Sequence, residues 1–288
     1  MATAKNQTSQ TNKISIVIPT FNRPNLALSA AKTIRRYHPE IEITIVDQQG
    51  GADMNKQETD KLNIAYINLH RENTSLAKNR GIKESSGDII FFFDDDIEIT
   101  RDTIQEQTKA YEDPEVMGTC GRVINDHEEV PEETDVPTGK MNWLGTTFLQ
   151  QFWSTKKQTI DFPYGCNMSF RASVLKKTSG FDEHLPKIFE EIDLGKRVRH
   201  YGTIQFVPQA LAYHHKAKRG GTRTTMQNKM RMIYRNYGYF IAKHVIFPFS
   251  LITLAMRTRT VLYEAAFAIT DLYQGYVSYF RTIIRNTH

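Results

Sequence analysis

The chain has 288 residues, of which 40% are hydrophobic, so it can bury one sizeable core plus an appendage and is predicted to be globular. Its two cysteines, Cys120 and Cys166, lack metal-type spacing, which argues against a cysteine-bound metal and favours free thiols in a reducing compartment. From residue 213 onward lie 12 of the 37 basic and 2 of the 32 acidic residues, so this tail carries +10 and the remainder carries −5. A basic tail of this kind indicates an anionic partner surface, either a phospholipid leaflet or a polyanion.

The N-terminal part alternates strand-like and helical segments. Residues 1–13 are polar and lack the apolar core of a secretory signal, so we predict a disordered arm and a cytoplasmic protein. Apolar runs rich in Ile, Val and aromatic residues predict strands at 14–19, 41–47, 63–69 and 87–94. Helical patterns between them lie at 25–37 and 73–87. This alternation predicts a parallel sheet whose ligand crevice lies at the carboxyl ends of the strands.

The second half of the chain is less regular. Residues 125–140 form an acidic, proline-bearing segment that we interpret as a surface loop. Residues 162–183 predict a turn, a short buried segment and a helix; residues 189–202 predict a helix, and 203–208 a last strand. We therefore expect a body at 14–222 and a helical tail at 223–288.

The tail combines helical apolar periodicity with arginines. The longest apolar run, 245–256, has 12 residues and contains Pro248, which is too short to span a bilayer. Arginines such as Arg231, Arg257 and Arg281 accompany the apolar positions, as expected of helices that lie in a membrane interface. The alternative is that these helices pack against the body or against a second subunit.

Three phenylalanines, 91 to 93, run directly into Asp94, Asp95 and Asp96. The apolar run reads as a strand buried on both faces, and three adjacent carboxylates repel one another unless a cation offsets their charge. A solvated turn in which one aspartate caps a helix is the alternative interpretation.

In order and spacing, the motifs of the chain resemble glycosyltransferase family 2, which comprises inverting enzymes that use nucleotide sugars. The matching stretches are "IVIPTFNRP", "IVDQQ", "LAKNRGI", "GDIIFFFDDD", "GCNMSFRASVLKKTSGFDE", "FEEIDLGKRVRHYG" and "YHH". The resemblance implies the GT-A fold, a Rossmann-like α/β architecture with a mixed, mostly parallel sheet and flanking helices, here with a C-terminal helical extension.

The same resemblance implies a donor site and a metal site. Asp94 and Asp96 correspond to the family's DxD motif, with Asp96 as the main ligand of Mn²⁺ or Mg²⁺ and either His214 or His215 completing the coordination. The donor-binding residues implied by the match are Pro19, Thr20, Asn22, Arg23, Asp47, Lys78, Asn79, Asp94, Asp95, Gly165 and Asn167. Within this set, Asp47 corresponds to a residue that contacts the base.

An inverting transfer is a single displacement, so one carboxylate must take the proton of the acceptor hydroxyl. The family's usual Glu-Asp pair is Glu190-Glu191 here, which implies Glu191 as the base, with Glu190 and Asp193 as rivals.

The expected function is therefore transfer of a sugar from a UDP- or dTDP-sugar donor to a glycan or lipid-linked acceptor in polysaccharide or glycan biosynthesis. The basic tail would hold the enzyme at the inner face of an anionic membrane; alternatively, the tail would form a homodimer interface. No nucleic acid is expected as a partner. A non-catalytic membrane or polyanion adaptor is the second hypothesis. A sugar nucleotidyltransferase is disfavoured because no glycine-rich basic phosphate loop occurs early in the chain. A nicotinamide dehydrogenase is also disfavoured, because "PTFNRP" after the first strand does not match the dinucleotide-binding G-x-G-x-x-G.

Overall fold

A central mixed sheet organises the first two thirds of the chain. The computed structural model describes residues 12–286, with gaps at 50–55, 127–128, 131, 133–136, 146, 149–151 and 217–223. The strands are β1 (Ile14–Thr20), β2 (Glu42–Asp47), β3 (Ile64–Asn68), β4 (Ile89–Phe93), β5 (Ile97–Ile99), β6 (Val116–Asn125), β7 (Lys140–Met141), β8 (Thr147–Phe148), β9 (Gln158–Ile160), β10 (Asn167–Arg171) and β11 (Thr203–His214). The helices are α1 (Pro24–Tyr37), α2 (Lys56–Lys61), α3 (Thr74–Glu84), α4 (Thr103–Ala110), α5 (Ala172–Lys177), α6 (Glu190–Val198), α7 (Met226–His244), α8 (Phe249–Ala265) and α9 (Ile269–Asn286).

The sheet order within the described residues is β3-β2-β1-β4-β10-β6-β11-β5, with β9 added to β11. The four strands β3, β2, β1 and β4 are parallel, whereas β10 runs antiparallel between β4 and β6. The predicted parallel N-terminal half and the four strands expected there are confirmed. Thr20 and Asp47 are register partners at the carboxyl ends of β1 and β2, so polar residues after these strands meet at one edge of the sheet.

Strand β4 is buried on both faces, as its uninterrupted apolar sequence predicts. Phe92 packs edge-on against Phe181 on one side, with ring centroids 5.3 Å apart. Phe91 and Phe93 stack on each other on the opposite side, at 5.9 Å. The two sets belong to two separate hydrophobic clusters, one on each face of the sheet. This rigid strand delivers Asp94 to Asp96 directly to the sheet edge.

Helix α7 packs into the same hydrophobic cluster as the sheet and is not a detached arm. Phe240 is fully buried and lies 5.6 Å from the ring of Phe189, which precedes α6. Helices α7 and α9 approach so closely that a Cβ on Gly238 would lie 2.0 Å from the carbonyl oxygen of Leu272. The boundary predicted at 222/223 falls in the gap 217–223, and most of the predicted arm, residues 1–11, also lies outside the described residues.

No helix in the described part of the chain is both long and apolar enough to cross a bilayer. This agrees with the short apolar run noted above.

A buried ionic cluster joins α6 to the end of α7. Asp193 is fully buried, accepts hydrogen bonds from Arg197 at 2.6 and 2.9 Å and lies 2.7 Å from both Lys243 Nζ and His244 Nε2. Lys243 also reaches Asp182 at 2.5 Å. Burial alone would raise the pKa of Asp193, but His244 and the neighbouring cations hold it well below its usual range. The cluster therefore fixes α7 onto the body.

We expect Asp193→Asn to lower the free energy of unfolding by about 3 to 5 kcal/mol at neutral pH, because Arg197 and Lys243 lose a fully buried anionic partner. Since the folded pKa of Asp193 is depressed, its stabilisation is present above the unfolded pKa of about 3.9 and is lost as the pH falls towards the folded value. The difference between wild type and variant should therefore shrink between neutral pH and about pH 3 in urea titrations. Asp60→Asn, at an exposed position, is the matched control; an equal effect of both substitutions would contradict the structural role.

Candidate active site

A cleft of about 270 Å³ opens at the carboxyl edge of the sheet. Ten of the residues predicted for the site line it: Pro19, Thr20, Arg23, Lys78, Asp94, Asp95, Gly165, Glu190, Glu191 and His214. The topology explains the convergence, since β1 and β4 end side by side, α3 lies behind them, and the loops before β10 and α6 close the opposite wall. The cleft is where ligands bind in open α/β sheets.

Asp95 joins β4 to the loop after β1. Its carboxylate accepts a hydrogen bond from Thr20 Oγ1 at 2.6 Å and two from Arg23, at 2.5 and 3.1 Å. Arg23 also reaches Asp96 Oδ2 at 3.1 Å. Burial raises the pKa of Asp95 to about 7, although Arg23 and Thr20 oppose the shift. The first loop of the cleft is therefore positioned by the middle acid of the triplet.

Asp94, Asp96 and His214 form a cluster that could hold a cation. Each offers one ligand atom, and these atoms lie within 4.8 Å of one another. His214 Nε2 lies 3.2 Å from Asp96 Oδ1, while its Nδ1 lies 3.2 Å from Asn125 Oδ1, which fixes the ring orientation. Two carboxylates with one imidazole suit a divalent ion such as Mn²⁺. Burial raises the pKa of Asp94, although His214 and Lys78 oppose the shift.

A second charged group lies on the opposite wall of the cleft. Lys78 is 2% exposed, donates to Glu190 Oε1 at 3.1 Å and lies 5.0 Å from the ring centre of Phe181. Burial alone would lower the pKa of Lys78, but the charges of Glu190 and Glu191 raise it above its ordinary value. The ammonium group is therefore charged at neutral pH and lies beside Glu190.

The two glutamates differ in proton affinity although they are adjacent. Burial would raise the pKa of Glu190, but Lys78 holds it below its usual range. The pKa of Glu191 lies well above its usual range, because Glu191 is buried beside the charge of Glu190. In the described part of the chain, Oε2 of each carboxyl group is buried without a hydrogen-bond partner. A carboxyl pair with divergent proton affinities and unused oxygens is suited to acid-base chemistry.

The turn before the glutamates is strained, and α7 holds it in place. Ile188 and Phe189 have φ values of 62° and 77°, a left-handed conformation that a β-branched residue adopts rarely. The side-chain amide of Asn236, on α7, donates to the carbonyl oxygens of Lys187 at 2.6 Å and Ile188 at 2.9 Å. The ring of Phe189 is packed against Tyr237 at 5.4 Å. Helix α7 therefore positions the turn that delivers Glu190 and Glu191 to the cleft.

Several predicted donor residues do not line the cleft, because structural partners use their polar atoms. Asp47 is buried and accepts from Tyr66 Oη at 2.6 Å, and the neighbouring Gln48 lines the cleft instead. The side chain of Asn79 bridges the backbone N–H and C=O of Phe181, at 2.8 and 2.9 Å.

Asn167 is also used structurally: it is fully buried, accepts from Gln107 Nε2 at 2.7 Å and donates to the carbonyl oxygen of Ala210 at 3.1 Å. Asn22 is exposed, with φ 59°, and lies outside the cleft lining.

The structure also separates the alternatives that the sequence leaves open. His214, not His215, belongs to the acid cluster; His215 is exposed and contacts Asp126 and Glu98, at 2.5 and 3.0 Å. The geometry disfavours Asp193 as a base, because its carboxylate is enclosed by the ionic cluster described above and does not line the cleft.

Seven further residues line the cleft that the sequence analysis did not select: Phe21, Gln48, Thr74, Tyr164, Cys166, Lys187 and Ile188. Phe21 and Gln48 directly follow β1 and β2, so a stricter use of the strand-end rule would have found them, whereas Thr74 is the first residue of α3. Tyr164, Cys166, Lys187 and Ile188 come from loops and carry no comparable signal.

Several curated glycosyltransferases are similar to this chain. A β-1,3-glucosyltransferase of Campylobacter jejuni that acts on GalNAc(5)-diNAcBac-PP-undecaprenol is 26% identical over 51% of this chain and 52% of its own length. The validoxylamine A glucosyltransferase of Streptomyces hygroscopicus subsp. limoneus is 24% identical over 82% of this chain and 58% of its own length. The chain thus spans little more than half the length of these relatives.

Solved structures show the same fold. The crystal structure of GalNAc-T7 with UDP, GalNAc and Mn²⁺ matches 81% of this chain and 50% of that chain at a TM-score of 0.60 and 16% identity. Staphylococcus aureus TarS 1–349 in complex with UDP-GlcNAc matches 86% of this chain and 71% of that chain at 0.58 and 16% identity. The predicted GT-A fold is confirmed. The family model for Glycosyl transferase family 2 matches residues 15–179, more than half of the chain, and the protein therefore belongs to this family of glycosyltransferases.

Proposed function

We propose that the protein transfers a sugar, with inversion, from a UDP- or dTDP-sugar to an acceptor hydroxyl, assisted by Mn²⁺ or Mg²⁺. The observation that supports this most directly is one cleft, lined by Asp94 and His214, which with the adjacent Asp96 form a cluster of possible cation ligands, and by a pair of glutamates with divergent proton affinities. Similar proteins have been crystallised with UDP and Mn²⁺ or with UDP-GlcNAc.

Asp94, Asp96 and His214 are the proposed ligands of the divalent ion. When bound, such an ion offsets the charge of the donor diphosphate and the charge that develops on the leaving group. Arg23 and Asp95 contribute by fixing the loop after β1, which forms the adjacent wall. Asp47 stays the proposed contact of the base by resemblance, and the neighbouring Gln48, which lines the cleft, is a second proposed contact.

Glu191 is the proposed base. The displacement requires the acceptor O–H proton to leave as the new C–O bond forms, and a carboxylate of high proton affinity accepts it most readily. Glu190 stays ionised through Lys78 and raises the proton affinity of its neighbour. A cation at the acid cluster would favour the ionised form of Glu191 before the reaction. Glu190 is thus proposed as a positioning group and Glu191 as the group that receives the proton.

The proposed acceptor is a glycan or a lipid-linked glycan, and the proposed location is the cytoplasmic face of an anionic membrane, to which the basic tail would bind. We favour an enzyme over a non-catalytic adaptor because an adaptor would gain nothing from buried like charges in a cleft, which destabilise the fold. A homodimer formed through the tail is the competing arrangement.

We expect UDP to raise the melting temperature only when Mn²⁺ or Mg²⁺ is present, because the ion bridges the protein and the diphosphate. At a UDP concentration about 100 times its Kd, the stabilisation is about 2.7 kcal/mol. Asp96→Asn should abolish the metal-dependent shift in differential scanning fluorimetry, whereas Asp102→Asn, at an exposed position, should retain it. A shift of wild-type size in the Asp96 variant would remove the metal role.

Glu191→Gln should keep the metal-dependent UDP shift yet reduce sugar transfer by at least about a hundredfold, the typical contribution of a general base. A panel of UDP-sugars with radiolabelled sugar is the assay, with UDP release measured in parallel. Glu190→Gln is the comparison: it leaves Lys78 buried without its partner, so it should also lower the melting temperature. Undiminished transfer by the Glu191 variant would assign the base role to Glu190.

A further inference from the structure

Helix α8 buries Leu254, Val261 and Ala265 in the core, yet its outward side is also largely apolar. Its polar residues Ser250 and Thr253 are buried, and Ser250 Oγ lies 2.9 Å from Tyr276 Oη. Its outward positions are apolar: Phe249, Leu251, Ile252, Met256 and Leu262 are all exposed. Exposing an apolar helix face of this kind to water is unfavourable, and such a face is typical of a surface that binds a protein or a membrane.

The apolar face continues beyond α8. Ile246 and Phe247, in the turn before the helix, are 80% and 71% exposed. Trp143 projects from the body, is 67% exposed, and its ring contacts Phe249 edge-on at 5.4 Å. Helix α9 adds an exposed stripe at helical spacing, formed by Tyr273, Val277, Phe280 and Ile284. We call the surface formed by Trp143, residues 246–252 and Met256 the α8 face.

Charge indicates what covers the α8 face. Every exposed charged side chain described on α7, α8 and α9 is basic: Lys229, Arg231, Arg235, Arg259 and Arg281. Asp271, the acid described on these helices, is buried and paired with Arg235 at 3.3 Å. Exposed apolar residues and exposed basic residues on the same set of helices, with an exposed tryptophan beside Phe249, match the interface of an anionic leaflet. A second copy of the chain would instead bring like charges together.

We propose that the α8 face inserts into the headgroup region of an anionic phospholipid membrane, while the arginines of α8 and α9 contact lipid phosphates. This inference assigns a surface to the proposed membrane location. Only the reason for binding the membrane, access to an acceptor, rests on the proposed function, since lipid binding requires neither donor nor metal. Because α8 packs on α7, and α7 contacts the turn at Ile188, the proposed membrane surface is connected to the cleft through direct contacts.

Cosedimentation of the full chain with phospholipid vesicles tests this inference. Vesicles of phosphatidylcholine mixed with phosphatidylglycerol should bind the protein, and vesicles of phosphatidylcholine alone should bind it much more weakly. The double substitution Ile246→Ser with Phe247→Ser should reduce partitioning into the vesicles at least about tenfold. It removes the favourable free energy of transferring two apolar side chains from water into the membrane. Its matched control is Leu26→Ser with Val130→Ser, two exposed apolar residues of the body, which should bind as wild type does.

Charge is tested separately. Arg259→Gln with Arg281→Gln should weaken binding to anionic vesicles by about fivefold for each arginine removed, since each basic residue near such a surface contributes about 1 kcal/mol. Arg36→Gln with Lys83→Gln, at exposed positions of the body, is the control and should have no effect.

Three outcomes would overturn the inference: no binding to anionic vesicles, equal binding by the 246/247 variant and its control, or a wild-type dimer in solution that this variant converts to monomer. The last outcome would assign the α8 face to a second copy of the chain. The UDP shift with Mn²⁺, measured on the same variants, reports on the cleft alone. Vesicle binding without a UDP shift would therefore overturn the proposed transferase and leave the membrane surface standing.

Discussion

The structure depends on how buried negative charge is compensated at the carboxyl edge of the sheet. Strand β4, enclosed by phenylalanines, leads directly into three acids, and Arg23 and His214 meet two of them. On the opposite wall, Lys78 compensates Glu190. Although these cations lie nearby, burial raises the pKa values of Asp94 and Glu191 above their usual ranges. The fold thus presents a cleft with a cluster of possible cation ligands and a pair of buried glutamates, the arrangement on which the proposed transfer rests.

The C-terminal helices take part in building this cleft. Asn236 holds the left-handed turn at Ile188 and Phe189, and the ionic cluster around Asp193 fastens the end of α7 to α6. Without these contacts, the strain of two successive left-handed residues would favour another conformation of the turn. Helix α7 therefore couples the outer helices to the glutamates, although it lies outside residues 15–179, which the family model matches.

The same helices present opposite surfaces on their two sides. Their inner side buries tyrosines, polar groups and two glycines that allow close backbone contact. Their outer side exposes apolar side chains and arginines. A tail that only stabilised the body would have a polar outer face. The outer face thus has the composition expected of the proposed membrane-binding surface. The inner face contacts the turn that carries the glutamates.

The sequence by itself determined the fold class, the four parallel strands and most of the cleft, since buried strands have a continuous apolar pattern and polar residues at their carboxyl ends must converge. Tertiary structure alone decided which members of each motif face the cleft. His214 and His215 are neighbours at the end of β11, and side chains along a strand point alternately to opposite sides, so one meets Asp96 and the other meets Asp126. Glu191 and Asp193 are two positions apart on a helix, which turns them to different faces. The role of Asn236 depends on a contact across 48 residues of sequence, which no local pattern contains.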